Sequence, residues 1–184
     1  MKLITLIALI ALPLISNCVA VSFTPIVLHN LGLTVGPYNV TVDLLGFGDI
    51  NAVGPIQGAE GIGHVSYMVG IAEGNSATPT DNARRFTIDI TKFGLPIDLA
   101  NKVLLSQAYD ETARSVYPNV VWDTKGQVMI DGKLAAHYYN KVGNIHFICY
   151  FATPNLKVTI GEWKLTSEEF TRILGTLHVA TSSA

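Results

Sequence analysis

The sequence predicts an α+β domain, an antiparallel β-sheet packed against a long inserted helix and a C-terminal helix. Three observations predict it. Apolar and polar residues alternate in several short runs, such as YNVTVDLL from Tyr38 to Leu45 and FTIDI from Phe86 to Ile90, which is the period of a half-buried strand. After Pro96 the apolar residues recur at three- and four-residue steps, the spacing of an amphipathic helix. Near the C-terminus, Thr166-Ser167-Glu168-Glu169 is a capping box ahead of a second helical face.

Taken in order, Val40, Val42 and Leu44 are the inward residues of the first strand. The next stretch, 46–63, carries glycines at 46, 48, 54, 58, 61 and 63, and reads as a loop or irregular excursion. His64 to Gly74 is a second strand, 75–83 a polar surface loop, and Phe86 to Ile90 a third strand. The inserted helix starts at Pro96, whose missing N–H costs nothing in a first turn, and presents Ile97, Leu99, Ala100, Val103, Leu104, Ala108, Ala113 and Val116 as its stripe; Pro118 ends it. A meander follows: Val120 to Trp122 with Val128 to Ile130, then Ala135 to Asn140, Ile145 to Phe151, and Lys157 to Gly161. Asp131-Gly132 and Gly143-Asn144 are turn pairs suited to positive φ. Phe170, Ile173, Leu174 and Leu177 form the apolar face of the last helix, and 181–184 is expected to fray.

The first twenty residues, MKLITLIALIALPLISNCVA, place Lys2 before an apolar run of thirteen residues, Leu3 to Ile15, and close on small or polar side chains. This is the three-part pattern of a secretory signal. The run is shorter than the roughly 20 residues that span a bilayer. Cleavage is expected after Ala20, with Cys18 and Ala20 as the small residues of the cleavage site. The alternative is a lipid-anchored form at Cys18, although Asn17 stands where a lipoprotein signal has a small residue. Residues 21–184 are then one secreted or extracytoplasmic domain, at the periplasm or cell surface, not transmembrane once the signal is removed.

The whole chain has 12 basic and 14 acidic residues; losing Lys2 leaves 11 and 14, a formal charge of −3. No Lys/Arg run exists, so nucleic acid, which is bound through clustered positive charge, is not an expected partner. With Cys18 removed, Cys149 is the one remaining cysteine and no intrachain disulfide can form. In the run IHFICYF it reads as a small buried hydrophobe.

The segments IDGK (Ile130 to Lys133), the aromatic strand Ile145 to Phe151, KVTIGEW and the closing LTSEEFTRILGTLHV resemble the PsbP-like superfamily over about residues 120 to 180. The resemblance implies an antiparallel sheet between helices and a binding or assembly accessory role at a membrane or cell surface, with enzymes not the expectation. The glycine-rich stretch has no counterpart in the resemblance, and no site residue is carried over, because the family shares a fold more than a site.

Chemistry-bearing patterns are few. The histidines at 29, 64, 137, 146 and 178 lack H-x-x-x-H spacing, and no C-x-x-C exists. The glycines of 46–63 lack a following G-K-[ST], and no G-x-S-x-G elbow occurs. No motif calls for a cofactor or metal. Asn39-Val40-Thr41 matches a glycosylation sequon inside a strand. His137 and His146 sit on the two arms of one hairpin with Tyr139 and Tyr150 beside them, and these four are the candidate ligand or partner surface. The expected function is an exported, non-catalytic binding or assembly module at the cell envelope, engaging a protein or membrane-envelope partner. The alternative is a small secreted enzyme or ligand carrier with a pocket between the glycine-rich loop and the aromatic hairpin.

Overall fold

A computed structural model describes residues 21–22, 31–44, 47, 50–57, 63–74 and 83–180. The signal reading of 1–20, the lipid site at Cys18, most of the polar loop 75–83 and the tail 181–184 lie outside these residues. The strands are β1 (Val21–Ser22), β2 (Leu31–Val35), β3 (Tyr38–Val42), β4 (Ile50–Gln57), β5 (His64–Glu73), β6 (Arg85–Phe93), β7 (Thr124–Ile130), β8 (Lys133–Asn140), β9 (Ile145–Thr153), β10 (Leu156–Trp163) and β11 (His178–Val179). Helix α1 (Lys102–Val116) lies between β6 and β7, and α2 (Ser167–Thr176) follows β10. The fold is α+β and mostly antiparallel sheet.

An eight-stranded sheet runs in the order β1-β4-β5-β6-β10-β9-β8-β7, and a three-stranded sheet in the order β11-β3-β2. Every pairing is antiparallel. Because side chains alternate along a strand, the large sheet has two separately built faces. On one face Ile71, Phe86, Ile88, Ile148, Tyr150, Val158 and Ile160 pack with Val35, Val40 and Val42 of the small sheet and with Ile173, Leu174 and Leu177 around α2. On the other, Tyr109 and Ala113 of α1 pack on Ala136, Tyr138, Phe147, Cys149 and Phe151.

The capping box of α2 forms as the sequence predicts: Glu169 N donates to Thr166 Oγ1 at 3.2 Å, and Thr166 N donates to Glu169 Oε2 at 2.8 Å. Val40, Val42 and Leu44 are buried, as their alternation predicts. The Asp131-Gly132 turn takes positive φ at both residues, 51° and 71°. In the next turn only Asn144 does, at 46°; a Cβ at Gly143 would lie 2.8 Å from the terminal methyl of Ile145, which would have to shift.

Other expectations need correction. The glycine-rich stretch is not a loop throughout, because residues 50–57 form β4, with a register shift between Val53 and Ile56 that absorbs Gly54 and Pro55. Helix α1 starts at Lys102 and not at Pro96. Asn101 supplies the capping oxygen, accepting from Leu104 N at 3.1 Å, while Ile97 N is taken by Pro154 O at 2.7 Å. Much of its expected stripe faces outward: Val103 is 67 % and Leu104 49 % exposed. Val120 to Trp122 is not a strand; Thr124–Ile130 pairs with β8 instead.

Candidate functional site

Between α1 and the large sheet lies a cavity of about 630 Å³. Its floor follows from strand register. On β6 the residues between Phe86, Ile88 and Ile90 are Thr87, Asp89 and Thr91, and they point away from the main core. On β10 their partners are Gly161, Thr159 and Lys157. These six residues tile a polar strip, two strands wide at about 4.8 Å per strand. The next strand, β9, sets Phe147, Cys149 and Phe151 beside Gly161, Thr159 and Lys157. The strip therefore ends in an aromatic wall, extended by Phe93, Leu95, Ile97 and Val116.

Asp89 accepts from Thr91 Oγ1 at 2.9 Å, and burial raises its carboxyl, offset by hydrogen bonds from Thr91 and Ser66 and by the charge of Lys157. Lys157 Nζ donates to Thr112 Oγ1 of α1 at 3.1 Å and stands 5.3 Å from the centre of the Phe93 ring. Gly161 is needed for close approach: a Cβ would lie 2.6 Å from Tyr117 Oη and 2.6 Å from the Trp163 ring. Tyr117 in turn packs edge-on to Phe147 and Trp122, with centroids at 5.4 and 5.5 Å. Burial raises its hydroxyl well above the ordinary tyrosine range.

Among the described residues, no histidine lines the cavity. Cys149, on the same face, is fully buried, and its thiol is pushed up to about 12 by burial, so it carries no thiolate at neutral pH.

The four candidate residues read from the sequence lie on the opposite face of the sheet. His137, Tyr139 and His146 are brought together there: Tyr139 stacks on His146 at 4.5 Å, and Phe170 of α2 stacks on both histidines. Tyr150 is separate from them, at 0 % exposure inside the main core. Among the described residues, no three His, Cys, Asp or Glu side chains converge as a metal site. Among the described residues, the cavity's lining includes none from the glycine-rich stretch. Its floor escaped sequence reading because Thr87, Asp89, Thr91, Lys157 and Thr159 look like the solvent face of ordinary strands; the available signal was that β6 and β10 both carry such a row.

Fold and site together define an α+β domain with a sheet-floored, partly apolar cavity. No protein family, curated protein or solved structure matches the chain.

Proposed function

We propose that this chain is an extracytoplasmic, non-catalytic binding module that holds a small amphipathic molecule in the cavity between α1 and the large sheet. The observation that carries the reading is the cavity itself, about 630 Å³ with a polar floor and an aromatic wall. That volume lies within the roughly 300–1,000 Å³ of small-molecule sites, which are mostly apolar with a few placed polar groups. Export is supported by the signal pattern of residues 1–20. A PsbP-like relationship belongs to the same proposal, supported by the segments quoted above.

The test is fluorescence titration with the neutral dye N-phenyl-1-naphthylamine. Saturable enhancement with the wild type, lost in Ser115→Trp, which fills the cavity from an exposed helix position, is the expected result. Equal binding by both proteins, or none by either, overturns the reading.

A second reading, an assembly surface for an envelope protein, is favoured by Leu95 (83 % exposed), Leu99, Val103 and Leu104, four exposed apolar residues within ten positions. Cross-linking in envelope extracts should retain a defined partner with the wild type and lose it with Leu95→Ser/Val103→Ser; identical profiles would refute this surface.

A further inference from the structure

Two opposite charges stand on the cavity floor without touching each other. Asp89 faces Thr159 across β6 and β10, and Lys157 faces Thr91, so the two are diagonal neighbours in the ladder, about 7–8 Å apart at the backbone. Each is held by neutral groups: the carboxylate by Thr91 and Ser66, the ammonium by Thr112 and the Phe93 ring. Among the described residues they form no direct ion pair with one another. Among the described residues, the remaining charged one on the lining is Glu111, exposed on α1.

This arrangement selects among ligands. A lone anion drawn to Lys157 is repelled by Asp89 one strand away, and a lone cation meets the reverse, so the two Coulomb interactions oppose each other. A molecule carrying both charges gains from both, and more strongly in a site partly shielded from water. Beside the charges, Phe93, Ile97, Phe151 and Val116 offer an apolar wall with no polar demand.

We propose that the cavity takes a zwitterionic amino compound with a bulky apolar side chain, a free amino acid or a short peptide, with its ammonium on Asp89 and its carboxylate on Lys157. This rests on the ligand-holding reading above and names the class of ligand. Asp89 and Lys157 are then binding residues, and the aromatic wall selects for side-chain bulk.

The test is calorimetric titration of the purified full chain with four probes: phenylalanine, leucyl-phenylalanine, N-acetyl-leucyl-phenylalanine and leucyl-phenylalanine amide. The free dipeptide is expected to bind at least about ten-fold more tightly than either capped form, as befits loss of one charge-assisted contact. Asp89→Asn should abolish the penalty of acetylation and keep that of amidation; Lys157→Met should do the opposite, with Lys157→Gln read in its place if the methionine variant does not fold. Phenylalanine binding as tightly as the dipeptide assigns the site to free amino acids, and weaker binding assigns it to peptides. Capped probes binding as well as the free dipeptide, or variants that weaken all probes alike, overturn the proposal. If no zwitterion binds while N-phenyl-1-naphthylamine still does, the ligand class falls and the cavity reading stands; if the dye fails too, both fall.

Discussion

His137 Nε2 lies 3.0 Å from His146 Nδ1 across β8 and β9, and the Phe170 ring closes over both imidazoles at 4.8 and 4.1 Å. One proton serves that contact, so charging the second ring would set two buried N–H groups against each other. Burial, and then the neighbouring His137, push His146 down to about 4, and burial lowers His137 as well. The unfolded chain takes up these protons near pH 6.5, before the folded chain does. The contribution of these two histidines to stability is therefore flat above about pH 6.5 and falls as pH drops from 6.5 toward 4, by up to about 3 kcal/mol for His146. Urea unfolding at pH 7.5 and 5 should show His146→Phe more stable relative to the wild type at pH 5 than at pH 7.5. An unchanged slope in that variant refutes the assignment.

Glu162 stands opposite His146 on one side and Phe86 on the other, fully buried, with neither carboxyl oxygen hydrogen-bonded among the described residues. Burial holds its carboxyl well above the usual carboxylate range. A raised acid costs stability as pH climbs above about 4.5, the reverse of the histidine effect. Glu162→Met should stabilise the fold at pH 7 by about 1–3 kcal/mol and progressively less toward pH 4. Thermal unfolding at the two pH values checks this, and destabilisation at pH 7 would contradict an unpartnered carboxyl.

Thr166 caps α2, and Arg84 ties the same turn to the sheet by pairing with both Glu169 and Glu73. Thr166→Ala should cost about 1 kcal/mol. The expected readout is a lower urea midpoint at unchanged slope.

Gly36 sits at φ +59°, and a Cβ there would lie 2.3 Å from the Tyr67 ring. Gly36→Ala combines backbone strain with overpacking and should cost about 2–4 kcal/mol. Gly32 has nothing within 4 Å, so Gly32→Ala in the same strand pair should shift stability by less than about 1 kcal/mol. Equal losses in the two variants would refute the steric account.

Intact mass after separating membrane from soluble fractions should give a soluble species beginning at Val21. A membrane-bound species beginning at lipid-modified Cys18 would replace signal cleavage after Ala20 by surface tethering.

Much of the fold was legible because local chemistry and tertiary structure agree. Alternation in FTIDI and YNVTV marks strands whose apolar faces are buried, and Thr166 and Glu169 need only each other to cap a helix. Other elements were illegible for identifiable reasons. Strand β4 contains Gly54 and Pro55, which oppose strand formation locally, and it forms because β5 and β1 pair with it. The apolar stripe of α1 announced a buried helix, but the helix rests on the narrow aromatic strip of β8 and β9 and leaves Val103 and Leu104 outside.

By itself the sequence determined which residues alternate, where the capped helix begins and which turn residues accept positive φ, since all of these are interactions among neighbours in the chain. The hairpin already put His137 and His146 on facing arms; only the tertiary structure decided that Phe170 closes over them and that Asp89 and Lys157 share the opposite face. A polar row on a strand has the same period whether it faces water or a cavity. What distinguishes the two is the element that packs above it, and that contact is made by residues far away in sequence.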